Sequence, residues 1–277
     1  MEKIDEQNQE SKESEWHNFT KQLAKHAPIL SEVPQLLKVL KTGLFITDIA
    51  GALTQFKADF DTSIAKEGDF LHIEHSKNIL IQDPKEISYY LDHEHKGTLL
   101  TGANSGGKTT LLEHVLQIIT LAELGWPVPG TATVPKYKAI YYFAKNKGST
   151  SKGAFETMLT QLSKINSENA LILADEMEAV TEPAVASRII AATLNHFTNN
   201  NAQCIFATHL GKDILPHIKG SVRIDGIKAI GIQNNKIIID HNPRIGELAN
   251  STPELIVEKM AQKENVYLTY LLKEMRS

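Results

Sequence analysis

The sequence predicts an α/β fold, a mainly parallel sheet flanked by helices, with a helical lead-in before it. Continuous apolar runs recur at Thr98-Leu99-Leu100, Ile140-Tyr141-Tyr142-Phe143, Ala170-Leu171-Ile172-Leu173-Ala174 and Cys204-Ile205-Phe206-Ala207. Strands that read as unbroken apolar runs are buried on both faces. Helical patterns separate them, from Thr110 onward, at about 154–166 and at 184–197, the alternation that covers a parallel sheet with helices. A glycine-rich stretch, Gly102 to Thr109, joins the first of these strands to the first of these helices.

Residues 1–15 are polar around a single Ile4 and are expected to be disordered or an exposed helix extension. Residues 16–68 form the lead-in. Leu23, Ile29, Leu36, Leu40, Phe45, Ile49, Leu53 and Phe60 suit helical faces, with Pro28 and Pro34 as punctuation. The main domain is placed at 69–277. It opens with a strand over Leu71–Ile81 that Asp83-Pro84 closes as a turn. Ala229–Ile232 and Ile237–Ile239, joined across Gln233-Asn234-Asn235, read as a hairpin and an antiparallel edge. Ser251-Thr252-Pro253-Glu254 is a capping box with proline just inside the start, which predicts a final helix.

The chain has 277 residues, 42% hydrophobic and 22% charged, with a formal charge of −4. That balance carries no global basic character, so contact with DNA would need a local patch or a fuller protein. The single Cys204, inside an apolar run, excludes a disulfide framework and suits a reducing compartment. No stretch approaches the ~20 continuous apolar residues of a membrane span, so the expected location is cytoplasmic, with no membrane partner.

Gly102-Ala103-Asn104-Ser105-Gly106-Gly107-Lys108-Thr109 sits between strand and helix, the setting of a phosphate-binding loop. The loop and the helix start, Thr110 included, turn backbone N–H groups toward one spot where the helix dipole favours an anion. ATP and Mg²⁺ are the expected cofactors. Lys108 would reach the terminal phosphates and the Thr109 hydroxyl would ligate the cation. Asp175 closes a strand as an Mg²⁺ partner, direct or through a ligand, and Glu176 beside it would act as general base on water. An Asp-Glu strand end read alone often only meets solvent; with the loop it reads as catalytic. His209 closes another strand, where an imidazole reaches the γ-phosphate or the water. His72, His75, His93 and His95 lack the spacing of a zinc site.

The loop, a long helix ending in Gly125-Trp126-Pro127-Val128-Pro129, then Asp175-Glu176 and Phe206-Ala207-Thr208-His209, resemble in order and spacing the ATPase domain of the MutS mismatch-repair family. The likeness covers roughly residues 70–275 and implies a P-loop NTPase fold of the ABC/MutS type. The helices before it resemble the end of the family's lever region. By the same resemblance Asn104 lies near the γ-phosphate and His241 stacks on adenine, although by position alone His241 is equally a turn residue. A Ser-Thr-Phe segment acts in trans in the family. Here Lys152-Gly153-Ala154-Phe155 stands in its place without the hydroxyls, leaving the Gly153 N–H and Phe155 for the contact. Thr181-Glu182-Pro183 is closer to the short paralogous branch than to the mismatch-reading one. Nothing matches the family's Phe-x-Glu reader, connector, clamp or nuclease domain, so the chain is expected to be either a piece of a longer protein or a minimal relative.

The resemblance implies a homodimeric ATPase with composite sites, coupling turnover to DNA in mismatch repair or recombination. The alternative is a nucleotide-gated assembly module with negligible turnover. An ABC-type head would carry Leu-Ser-Gly-Gly-Gln, which is absent, and a small-molecule kinase would carry an arginine-rich lid, whereas the core has only Arg188 before Arg223.

Overall fold

The computed structural model describes residues 2–102, 107–144, 152–180, 182–233, 236–249, 257, 260 and 266–276. Residues 1–59 form one unit and 60–277 a second.

In the first unit the chain is a single helix, α1 (Glu2–Asp59), with Pro28 and Pro34 inside it. Each internal proline costs about 3 kcal/mol. The Lys, Leu, Gln and Ala residues around both prolines are strong helix formers, so the helix runs through where punctuation is expected. Threonines 20, 42 and 47 bond the carbonyl four residues back, as hydroxyls on a helix face do. Its large apolar side chains among the described residues, from Trp16, Phe19 and Leu23 to Leu44, Phe45 and Ile46, are exposed. The lead-in also ends earlier than the expected residue 68. Thr62–Ile64 is strand β1, held antiparallel to Pro127–Pro129 (β6), and Lys66–Glu67 is strand β2.

The second unit is built on a six-stranded sheet. Its strands are β5 (Gly97–Gly102), β8 (Ala139–Phe143), β9 (Ala170–Asp175), β10 (Gln203–Ala207), β11 (Val222–Ile227) and β14 (Arg244–Ile245), in the order β14-β11-β5-β10-β9-β8. All neighbours are parallel except β14, which runs against β11. Every residue of β5, β9 and β10 is buried, the reason those segments read as continuous apolar runs. Helix α2 (Lys108–Glu123) follows β5 and α4 (Pro183–Asn199) precedes β10. Leu194, Ile190 and Phe197 of α4 pack with Leu99, Ile172 and Phe206 of the sheet.

A second sheet joins β2, β7 (Thr131–Val134), β3 (His72–Ser76) and β4 (Ile87–Tyr90). Here the expected strand over Leu71–Ile81 stops at Ser76. Asn78 Oδ1 accepts the Leu80 N–H at 2.9 Å and Gln117 Oε1 accepts the Ile79 N–H at 3.1 Å, so side chains take the bonds that a strand would have used and Leu80 is exposed. The hairpin appears as β12 (Ala229–Gln233) and β13 (Lys236–Ile239), a two-stranded sheet of its own, while the antiparallel edge of the main sheet is β14. Arg223 on β11 is buried against Asp225 and Asp92, 3.1 Å from each, with its guanidinium over the Tyr90 ring, which ties β11 to β4. Of the last element, Val266–Arg276 is helical, and the capping box at 251–254 lies outside the described residues. No helix among the described residues is long and apolar enough to cross a membrane.

His114 lies on the buried face of α2, Nε2 2.9 Å from Ser76 Oγ, and burial lowers its pKa from 6.5 to about 4. Between those values only the unfolded chain takes the proton, so this contribution is intact at neutral pH and is lost on acidification. The loss amounts to about 3 kcal/mol over the full window. We expect His114→Gln to flatten the fall in melting temperature between pH 7 and 4; parallel curves for the two proteins would refute this.

Candidate active site

Strand β5 ends at Gly102, whose φ of 138° suits glycine and where a Cβ would lie 2.6 Å from the Ile227 carbonyl oxygen. Gly107, φ 92°, precedes α2, and no side chain caps that helix start. Ala103, Asn104, Ser105 and Gly106 lie outside the described residues. What is described is a strand that turns on one glycine and a helix that starts on another, with the positive end of its dipole facing the turn.

Lys108 is the first residue of α2, and only 3% of it is exposed. Its Nζ donates to the Gly102 carbonyl at 2.7 Å and lies 3.9 Å from Glu176 Oε1. The next residue, Thr109, donates its hydroxyl to Asp175 Oδ2 at 2.6 Å. Asp175 closes β9, two strands away from β5, and the parallel register that sets Asp175 opposite Ala207, and Ala207 opposite Leu100, brings the strand ends level. Glu176 follows with φ 46°, its N–H donated to the Ala207 carbonyl at 2.9 Å, and is buried. A left-handed glutamate is uncommon, and here β10 holds it.

His209 follows β10, half-buried, with Nδ1 3.0 Å from Glu178 Oε1. The hydrogen bond it donates to Glu178 raises its pKa, against burial. Burial pushes the Glu178 carboxyl up, but the bonds from His209, Thr208 and the backbone together hold it below its ordinary 4.5.

The donors fit a small hard cation. Thr109 Oγ1 and Asp175 Oδ2 are oxygens, and no cluster of three or more His, Cys, Asp or Glu that could hold a metal occurs among the described residues. Magnesium is bound in this way, through one or two protein oxygens, water and substrate phosphates, rather than by a protein cage.

Residues 98–262 match the family model described as MutS domain V. This chain belongs to that family. MutS domain V is the ATPase domain of MutS proteins, and its match begins inside β5 and takes in Lys108, Thr109, Asp175, Glu176, Glu178 and His209. The DNA-binding protein MutS2 of Pyrococcus furiosus is 36% identical over 217 residues, 72% of this chain and 38% of that protein. The endonuclease MutS2 of Clostridium beijerinckii is 25% identical over 186 residues, 64% and 22%. The DNA mismatch repair protein MutS of Thermus aquaticus is 27% identical over 169 residues, 58% and 21%. The chain thus spans less than two-fifths of the length of each of these relatives.

In this MutS domain V, Lys108 lies against Glu176 and Thr109 against Asp175, and His209 follows the intervening strand β10. Thr110 is on the first turn of α2 and lines a separate cavity of about 160 Å³ with Gly107, Leu111, His114 and His241. That is roughly ten times the ~10–15 Å³ one water needs. His241 Nδ1 would lie 3.2 Å from a Cβ at Gly107, so the imidazole rests against the helix start. Gly153 is exposed in the first turn of α3 (Lys152–Leu162) with nothing within 4 Å of a Cβ placed there, and the Phe155 side chain lies outside the described residues. Glu178 is the residue of the site that sequence reading misses. Its only signal is a third carboxylate two positions after Glu176, in a segment that reads as a strand end meeting solvent.

Proposed function

We propose that this chain binds ATP with Mg²⁺ and hydrolyses it as the ATPase part of a MutS-like DNA-processing protein. The contact that carries this reading is Thr109 Oγ1 to Asp175 Oδ2 at 2.6 Å, with Lys108 and Glu176 in the same crevice. The backbone of Gly102 to Gly107 and the start of α2, through Thr110, cradle the phosphates, with Asn104 near the γ-phosphate. Lys108 exchanges its Gly102 carbonyl partner for phosphate oxygens. Thr109 and Asp175 hold Mg²⁺, which when bound neutralises charge developing on the phosphates. Glu176 takes a proton from the attacking water, His209 contacts the γ-phosphate, and His241 stacks on adenine across the cavity beside Gly107.

The names of the relatives support DNA as the partner, and the charge of −4 leaves that contact to a local patch or to the fuller protein. The exposed start of α3 suits a partner site: Gly153 and Phe155 of one subunit close over the nucleotide of the other, so ATP favours the closed homodimer and hydrolysis relaxes it.

The test is Mg²⁺-dependent phosphate release by the purified chain, with and without duplex, branched and single-stranded DNA at stated salt, beside light scattering with ATP. We expect hydrolysis and an ATP-dependent doubling of mass. Binding without turnover would make the chain a nucleotide-gated assembly module, and an unchanged mass would remove the composite site.

A further inference from the structure

Glu178 lies in the 3-10 turn Met177–Val180 and is 5% exposed, and the proposed chemistry leaves it without a task. Its Oε1 accepts three hydrogen bonds: from Thr208 Oγ1 at 2.7 Å, from the His209 backbone N–H at 2.9 Å and from His209 Nδ1 at 3.0 Å. Its Oε2 is buried without a hydrogen-bond partner among the described residues. A buried carboxylate is costly unless bonded to donors, and the side-chain donors that reach this one belong to Thr208 and His209, the two residues that follow β10. A purely structural strand-end bond would be met by Thr208 and the backbone alone; the imidazole is a third, directional partner.

We propose that Glu178 is a positioning residue for the ATPase reaction, fixing the His209 ring through Nδ1 and so turning Nε2, on the far side of the ring, toward phosphate. This rests on the reading of His209 as a γ-phosphate contact. An ionised carboxylate only accepts, so the Nδ1 facing it must carry a proton and one tautomer is set. The charged groups facing the ring are Glu178 and Glu176, which favour imidazolium, and Lys108, which opposes it; the Glu178 bond is the largest influence and the net effect is a raised pKa. With Nδ1 already protonated, Nε2 donates only in the imidazolium, and that form is lost as pH rises through the elevated value. Holding the ring before ATP arrives removes that reorganisation from the reaction, as partners behind metal-bound histidines do.

The test combines side-chain ¹⁵N NMR titration of His209, assigned by its loss in His209→Gln, with steady-state hydrolysis by the whole chain. Wild-type His209 should titrate above 6.5 and keep Nδ1 protonated throughout. In Glu178→Gln the midpoint should fall by about one pH unit. The basic limb of kcat should move down with it, and kcat at pH 7.5 should drop about tenfold with KM for ATP changed less than about threefold. In a His209→Gln background Glu178→Gln should cost nothing more, whereas a merely structural role would persist there. A wild-type midpoint at or below 6.5 overturns the proposal without need of a variant, as does Glu178→Gln that hydrolyses ATP like the wild type. Absence of hydrolysis in the wild type sinks the ATPase reading instead.

Discussion

Lys108→Ala is expected to abolish measurable ATP binding while leaving the second unit folded. The ammonium is buried at the base of the turn, held by the Gly102 carbonyl and 3.9 Å from Glu176. Folding has thus already met the cost of desolvating it, and a triphosphate need only replace one acceptor with a stronger one. Charge-assisted bonds of this kind, lost from a desolvated site, typically cost about 3–5 kcal/mol, roughly 10²–10³-fold or more in Kd. Removing the cation also leaves the Glu176 carboxylate facing the incoming phosphates without compensation, which adds to the loss. Calorimetric titration with Mg-ATP checks it, with Lys108→Met as the variant that keeps the stem's packing. Retention of wild-type affinity by both variants would take Lys108 out of the site. A loss confined to Lys108→Ala would assign the effect to a collapsed crevice rather than to the charge.

The two faces of the crevice differ in how far they are legible from sequence, and the difference is physical. Lys108, Thr109, Asp175 and Glu176 lie at the ends of elements whose residues advertise themselves. A strand buried on both sides must be apolar throughout, and the first polar residue after it marks where the strand leaves the sheet. The register of parallel strands then brings those ends to one edge, so reading four local patterns amounts to reading one site. Glu178 and His241 have no such marker. Glu178 is buried by a 3-10 turn and by the return of β10, and His241 meets Gly107 across a separation of more than a hundred residues; neither contact has a local periodicity. The errors in the fold have the same origin. Leu80 and Ile81 carry strand composition, but the side-chain oxygens of Asn78 and Gln117 take the N–H groups of Leu80 and Ile79. Pro28 and Pro34 carry the composition of breaks, but the helix formers on either side outweigh two local penalties.

Glu176→Gln is expected to keep ATP affinity within about threefold and to lower kcat by roughly 10²–10⁴, the usual contribution of a positioned general base. The substitution replaces one oxygen with nitrogen and preserves shape. The bond from its backbone N–H to Ala207 O at this unusual φ of 46° does not depend on the side chain's charge, so folding should be unaffected. Binding survives because the groups assigned to the triphosphate, Lys108, Thr109 and the helix start, are untouched, and one carboxylate fewer faces the phosphates. Turnover does not survive, because an amide cannot take a proton from water. The same variant separates motor from latch. If closure of the dimer needs only ATP binding, the variant should accumulate in the ATP-bound dimer that the wild type passes through. Its scattering mass with ATP should then stay doubled for as long as nucleotide remains, whereas the wild type relaxes as ATP is consumed. Equal phosphate release by both proteins would strip Glu176 of the base role and leave the crevice as a binding site alone.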